Sequence, residues 1–474
     1  MSAIDCDICV IGAGSGGLSV AAAAAQFGEK VVLIEKGKMG GDCLNYGCVP
    51  SKALLAAAGH AHAFTSSEAF GIAPQKPKVD FARVNDHVRS VIAAIEPHDS
   101  QERLEGLGVT VIRAAGRFVD GATVEADGQR ITARRFVIAT GSSPAAPPIP
   151  GLDKVDYLTN ETLFDNRELP DHLIIIGGGP IGMEMAQAHR RLGAQITVLE
   201  AFTPLGKDDP ELTAIVLDHL KAEGINIRAA VKISNVASSG KGVTITLEGE
   251  GGKPEILTGS HLLVAAGRKP NVDGLNLEAA GIEFDRRGIK VDSSLKTSNR
   301  KVYAIGDVTG GLQFTHVAGY QAGLALRSIL FRLPVKNETR FIPWVTYTDP
   351  ELAHIGLTEA QANDSHPGFK VLRWHFKDND RAQAERKTSG MIKAVVSAKG
   401  DILGCSIVGP KAGELIQPWA LAMSSKLKIK AMIDMVAAYP TLTEVSKRAA
   451  TSYYSDLPRK PFVRKVIGWL KMFG

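Results

Sequence analysis

The residues best suited to chemistry lie in GGDCLNYGCVPSK, residues 40–52, where four residues separate Cys43 from Cys48. Cysteine is often a small buried hydrophobe. Here Gly-Gly-Asp precedes the pair, Asn-Tyr-Gly falls within it and Pro-Ser-Lys follows, so the setting is polar and turn-forming rather than a core strand. A thiolate is a nucleophile and a metal ligand, which leaves thiol redox chemistry and metal binding open. A closed metal site needs further ligands. No second cysteine or histidine pair at ligand spacing accompanies this one, and His60 and His62 do not share a helix face, so no metal-ligand set is assigned. The other cysteines read as core. Cys6 and Cys9 point to opposite faces of the first strand, and Cys405 lies in an apolar stretch.

Such a pair must be held by elements, and two segments of the chain repeat one pattern. DICVIGAGSGGLSVAAAAAQFGEKVVLIEK and HLIIIGGGPIGMEMAQAHRRLGAQITVLEA each read as an apolar strand, a glycine turn, a helix and a second strand ending on an acid. Gly12, Gly14 and Gly17 make G-x-G-x-x-G in the first, and Gly177, Gly179 and Gly182 in the second; Glu35 and Glu200 each follow the first glycine by 23 residues. The first glycine permits the tight turn, the second lets backbone approach a pyrophosphate, and the third permits close helix–strand packing. The phosphate sits at the positive end of the helix, and the acid can accept from a ribose diol. Two copies with matched spacing predict two bound dinucleotides.

Between the repeats, VIATGSSPAAPPIPG gives a strand ending near Thr140 and Gly141, then an extended crossing set by prolines 144, 147, 148 and 150. LLVAAGRKPN and VYAIGDV supply two more strand ends, carrying Gly267 and Asp307, and from about residue 340 the texture changes to alternating β-rich and helical stretches. Length agrees: 474 residues suggest roughly three domains at ~150 each. The 49 glycines exceed the usual ~7%, as backbone that approaches cofactors closely requires. A net charge of +5 is too thin to argue for nucleic acid, and five sparse cysteines are no secreted disulfide framework. MSAIDCDICVIGAG reads as neither a basic leader nor a long apolar segment, and no stretch reaches the ~18 apolar residues of a membrane span, so a cytoplasmic protein is expected.

With both repeats and the cysteine loop in place, the chain resembles the FAD-dependent pyridine nucleotide–disulfide oxidoreductases, the class of dihydrolipoamide dehydrogenase, glutathione reductase and mercuric reductase. The matching motifs run from Gly12 to Glu444. The resemblance implies an α/β fold with two Rossmann-like dinucleotide-binding domains and a C-terminal α+β dimerisation domain. It implies FAD segments at 1–150 and 268–338, an NAD domain at 151–267, an interface domain at 339–458 and a homodimer with a shared active site. FAD contacts are expected at Gly12, Gly14, Gly17, Glu35, Lys52, Gly116, Thr140, Gly141, Asp307 and Thr315, and NAD contacts at Gly177, Gly179, Gly182, Glu200 and Gly267. Reducing equivalents would pass from NADH through the flavin to a Cys43–Cys48 disulfide, with Cys48 the thiolate beside the flavin and Cys43 the interchange thiol. Lys52 would pair with Glu184. A carboxylate at Glu200, followed by Ala201 and Phe202 with no cation, favours NADH over NADPH.

Two features depart from the class. Dihydrolipoamide dehydrogenase and glutathione reductase carry His-Pro-x-x-x-Glu near the C-terminus, the histidine serving the partner subunit's dithiol. Here AAYPTLTEVSKRAA retains Pro440 and Glu444 but places Tyr439 at the histidine position. Histidine titrates near ~6.5 and tyrosine near ~10, so the tyrosine is a poor base at neutrality. Mercuric reductases also have tyrosine there, and QFTHVAGYQAG, residues 313–323, resembles their counterpart; they also carry a C-terminal cysteine pair, whereas no cysteine follows Cys405 here. The acceptor is therefore expected to be a disulfide or a thiophilic metal ion, with dihydrolipoamide dehydrogenase and a membrane-associated electron-transfer flavoprotein as alternatives. The second departure is RKPFVRKVIGWLKMFG, residues 459–474, in which Phe462, Val463, Val466, Ile467, Trp469, Leu470 and Phe473 fall within roughly 160° of helix and Arg464, Lys465 and Lys471 outside it. That face would either dock on the protein or its partner subunit, or lie on an anionic membrane surface.

Overall fold

The β-branched runs that open the two repeats become central strands of two sheets, the first mixed and the second all parallel. In the computed structural model, which describes residues 3–240, 242–249, 251 and 253–474, Ala3–Ile11 lies between Val31–Ile34 and Gln129–Ile138, all parallel. Thr110–Ile112 extends one side. Val302–Ala304 and the antiparallel strands Thr123–Ala126 and Arg117–Asp120 complete seven strands on the other. The second repeat builds a four-stranded parallel sheet in the order Asn226–Arg228, Gln195–Leu199, His172–Ile176, His261–Val264.

Registers match between the copies. Ile11 pairs with Ile34 and Ile138, and Ile176 pairs with Leu199 and Val264, so each strand ends level with its neighbours and hands over to a glycine. Ile8–Ile11 and Leu173–Ile176 are buried throughout, which explains their continuous apolar runs: helices or further strands cover both faces. The helix Ser15–Gln26 shares a core with Thr315–Leu330 through Ala21, Ala24, Ala322 and Ala325, small side chains that let two helices pack closely. Cys9 and Cys405 are buried as expected of core cysteines, whereas Cys6 is only half-buried at the sheet surface.

The chain divides into two compact units, Met1–Pro204 with Ile225–Thr339, and Leu205–Gly224 with Arg340–Gly474. The second unit is a five-stranded antiparallel sheet ordered Trp344–Thr346, Glu351–Gly356, Ile402–Gly409, Met391–Val396, Lys370–His375, with helices packed around Trp419 and Phe376. The helix Pro210–Ala222 belongs to it although its sequence neighbours lie in the second repeat. A buried charge holds it there. Lys393, 5% exposed, meets Asp209 and Glu211 at 2.8 Å and Glu359 at 2.6 Å, so the ammonium is fully compensated. Among the described residues no helix is long and apolar enough to cross a membrane.

Candidate active site

Each phosphate turn is shaped by the same backbone contacts. Gly12 (φ +105°) and Gly177 (φ +116°) sit where a Cβ would lie 2.4 Å from the carbonyl oxygen of Ala139 and of Ala265. At Gly17 and Gly182 a Cβ would come within 1.8 and 2.0 Å of the Gly12 and Gly177 oxygens, so glycine alone lets helix and strand meet. Gly14 and Gly179 instead face open space, and the helices that follow have no side-chain cap. Uncapped amides above a glycine-lined opening fit a pyrophosphate in both copies. The acids do more than the sequence suggested. Glu35 accepts from the backbone N–H of Ala13 at 2.6 Å and of Gly37 at 2.5 Å. Glu200 accepts from Gly178 at 2.6 Å and Phe202 at 2.8 Å. Each carboxylate braces its own turn.

The cysteine loop is fastened to the first of these turns. Gly40 N–H donates to the Ala13 carbonyl at 3.0 Å. Gly41 (φ +60°) lies so close that a Cβ would be 2.7 Å from Gly14 Cα. Cys43 sits on the short helix Gly41–Asn45, steadied by Asn45, whose amide donates to the carbonyls of Met39 and Gly41. Cys48 is the first residue of the helix Cys48–Thr65, where the helix dipole favours a thiolate. Its Sγ lies 3.4 Å from Thr315 Oγ1, at the start of Thr315–Leu330.

The two thiols titrate apart. A hydrogen bond from Cys43 is the main reason that Cys48 is lowered to about 6; the Thr315 hydroxyl and the Lys52 charge act in the same direction, against burial. Cys43 is pushed up because its proton is held in that bond, and burial adds to the rise. One turn beyond Cys48, Lys52 Nζ contacts Glu184 Oε2 at 2.8 Å, joining the cysteine helix to the helix Pro180–Leu192 of the second repeat. Glu184 is buried.

Sequence reasoning missed a polar network beside the cysteines. Arg268, in the AAGRKPN turn after Gly267, contacts Asp42 Oδ1 at 3.2 Å and donates to the Ser142 side chain at 2.7 Å and its carbonyl at 2.8 Å. The Ser142 hydroxyl in turn donates to Asp307 Oδ2 at 2.6 Å, and Arg268 stands 3.9 Å from the same oxygen. Burial pushes the Asp307 carboxyl up, with Ser142 and Arg268 opposing. Asn160 donates to Asp42 Oδ1 at 2.9 Å. Asp42 precedes Cys43, so the network ties the cysteine loop to the Asp307 turn. An arginine directly after an apolar strand and a glycine was the available signal.

The remaining expected cofactor residues lie along the same strand ends. Thr140 Oγ1 donates to the Asn271 carbonyl at 2.8 Å, and Asn271 Nδ2 donates to the Thr140 carbonyl at 2.9 Å. Gly141 and Gly267 face open space. Gly116 is buried against Ile34, the residue before Glu35. In the second unit Tyr439 is 71% exposed and its hydroxyl donates to Asp380 Oδ2 at 2.9 Å. That bond holds the phenol above its usual range. Glu444 opens the helix Glu444–Thr451.

Two turns that fit a pyrophosphate, with a polarised thiol pair beside the first, are the arrangement of a two-nucleotide disulfide reductase. The chain belongs to the pyridine nucleotide-disulphide oxidoreductases: that family's profile matches residues 6–322, and the profile of its dimerisation domain matches 342–450. Members use FAD and pyridine nucleotides, and the dimerisation domain marks a homodimer. The chain is 35% identical over 459 residues to a mercuric reductase of Staphylococcus aureus, covering 96% of this chain and 84% of that one. It is 34% identical over 456 residues to a dihydrolipoyl dehydrogenase of Geobacillus stearothermophilus, covering 94% and 96%. Among solved structures, it resembles the Cu(II) complex of the HOCl-induced flavoprotein disulfide reductase RclA from Escherichia coli, with a TM-score of 0.84, 27% identity and coverage of 93% and 98%. LpdA from Mycobacterium tuberculosis superimposes with a TM-score of 0.86, 26% identity and coverage of 96% and 100%.

Proposed function

We propose that this FAD-dependent disulfide oxidoreductase takes electrons from NADH and delivers them through Cys43 and Cys48 to a thiophilic metal ion, of the class of Hg(II) or Cu(II). The observation that carries this reading is Tyr439. Its hydroxyl is committed to Asp380, and its phenol is held protonated, so it cannot take a proton from a dithiol near neutrality as a histidine can. It can still orient a ligand beside two sulfurs. Likeness to mercuric reductases and to a Cu(II)-binding reductase supports the same acceptor class.

Bound FAD and NADH supply the two-electron chemistry, in segments 1–150 with 268–338 and in 151–267 respectively. Two electrons and one proton convert the Cys43–Cys48 disulfide to a thiol and a thiolate. Cys48 carries the negative charge, favoured by Thr315 and Lys52, and Lys52 is positioned by Glu184. Cys43 faces the acceptor. Hg(II) displaces its proton, binds both sulfurs and accepts two electrons to become Hg(0), or two Cu(II) ions accept one electron each to become Cu(I), and the disulfide re-forms. Tyr439 and Glu444 serve the thiols of the other subunit. Glu200, followed by Ala201 and Phe202 rather than by a cation, selects NADH, and the protein works in the cytoplasm, with residues 459–474 touching the inner face of the membrane.

Anaerobic titration with NADH tests the relay, and a thiolate–flavin charge-transfer band absent in Cys48→Ser is the expected result. Turnover is then compared with Hg(II), Cu(II), dihydrolipoamide and a quinone. The metals are expected to exceed the others at least tenfold, and Tyr439→His to raise dihydrolipoamide turnover about 10²-fold. Fast dihydrolipoamide oxidation by the unaltered enzyme would make it a dihydrolipoyl dehydrogenase instead. A lower KM for NADPH than for NADH would remove the nucleotide assignment.

A further inference from the structure

The segment after Asp456 carries five cations, Arg459, Lys460, Arg464, Lys465 and Lys471, and no acid. Its centre, Pro461–Leu470, is a ten-residue helix continued by the tight turn Lys471–Phe473. Pro461 sets the start, and the Arg464 side chain donates back to the Pro458 carbonyl at 2.7 Å. None of its residues is buried. Phe462, Trp469 and Phe473 are 75%, 55% and 70% exposed, and Ile467 and Leu470 are about half exposed. The Trp469 and Phe473 rings meet edge to face at 4.9 Å, so part of the apolar face is already assembled. The second unit's own core, by contrast, buries Trp419 and Phe376 completely.

Two observations narrow what covers this face. The profile of the family's dimerisation domain matches up to residue 450, so the helix lies beyond the matched segment. Ten residues at ~1.5 Å each span about 15 Å, half of a ~30 Å hydrocarbon core, so the helix can lie in a bilayer surface but cannot cross it. We infer that residues 457–474 bind an anionic phospholipid surface. Phe462, Ile467, Trp469, Leu470 and Phe473 enter the headgroup–acyl boundary while the five cations contact lipid phosphates. Complementary charge points to phospholipid rather than to an apolar protein groove. The inference rests on the peripheral placement proposed above and is independent of the electron acceptor.

The test uses the full-length flavin-loaded protein and sedimentation with two vesicle types, pure phosphatidylcholine and phosphatidylcholine mixed with phosphatidylglycerol. Binding to the anionic vesicles is expected to exceed binding to the neutral ones by about tenfold, and to be released at 1 M salt, where screening shortens to ~3 Å. Trp469→Glu with Phe473→Glu should abolish it while NADH-driven turnover with a soluble acceptor is unchanged. Equal binding to both vesicle types, or to neither, would overturn the inference. So would dissociation of the dimer in the double variant, which would make the face a subunit contact. Because turnover is read separately, loss of lipid binding leaves the thiol relay standing, and loss of the relay leaves lipid binding standing.

Discussion

The two phosphate turns are the same piece of backbone in different company. Gly12 and Gly177 approach equivalent carbonyls at the same distance, and Glu35 and Glu200 brace equivalent amides. Around them the residues differ. In the first turn Gly16 is buried, and a Cβ there would lie 3.2 Å from Ile305 and 3.3 Å from Ala318. Gly40 and Gly41 close over the same turn from the cysteine loop. In the second, Ile181 occupies the position of Gly16, and both it and Pro180 before it are exposed. Internal repetition thus reproduces the turn and its bracing, while neighbouring elements decide how far each turn is enclosed. On the function proposed above, the first environment suits a cofactor retained through turnover and the second one that exchanges.

The comparison can be broken most forcefully at the third glycines. Gly17→Ala and Gly182→Ala each drive a methyl group into a backbone oxygen, and each should cost about 3 kcal/mol of stability in chemical denaturation. Next come the second glycines, which touch no protein atom on the side where a Cβ would stand. Gly14→Ala should lower flavin affinity and Gly179→Ala raise the KM for NADH, each by roughly 10²-fold with stability preserved. If both variants lose flavin, the two turns have been assigned wrongly. The neighbour effect is tested by exchanging the differing residues. Gly16→Ile should cost about 2 kcal/mol and release flavin, whereas Ile181→Gly, on an exposed helix start, should cost less than about 1 kcal/mol. The smallest effect concerns the link between the copies. Cys48 is lowered, so its thiolate is present above pH about 6 and lost below it. Lys52→Met removes a favourable charge and should move that midpoint upward in a thiolate-absorbance titration; an unchanged midpoint would detach Lys52 from the thiol.

Much of this was legible in sequence because it follows from local backbone demands. A glycine that must adopt positive φ, or accept a carbonyl where a Cβ would stand, leaves a fixed spacing, and two such spacings exposed the repeat. Cys43 and Cys48 were legible for a similar reason, since their polar, turn-forming flanks contradict a core strand. Arg268 was not. Its partners Asp42, Ser142 and Asp307 are far from it in the chain, and nothing in AAGRKPN specifies them. Asp380 was equally hidden, because its bond to Tyr439 crosses 59 residues. The acids were placed by the motif as ribose acceptors, but bracing of the turn appears only when the side chains are seen to reach back to Ala13 and Gly178.

The sequence by itself determined the two turns, the cysteine spacing, the absence of a histidine before Pro440 and the one-sided apolar pattern of the tail. Each is a property of neighbouring residues and of helix or strand period. Tertiary structure alone decided that Lys52 reaches Glu184 in the other repeat, that the cysteine loop rests on Gly14, and that Leu205–Gly224 folds with the second unit around Lys393. Those outcomes depend on burying charge and backbone between segments distant in the chain, and no local pattern encodes which distant group will supply the partner.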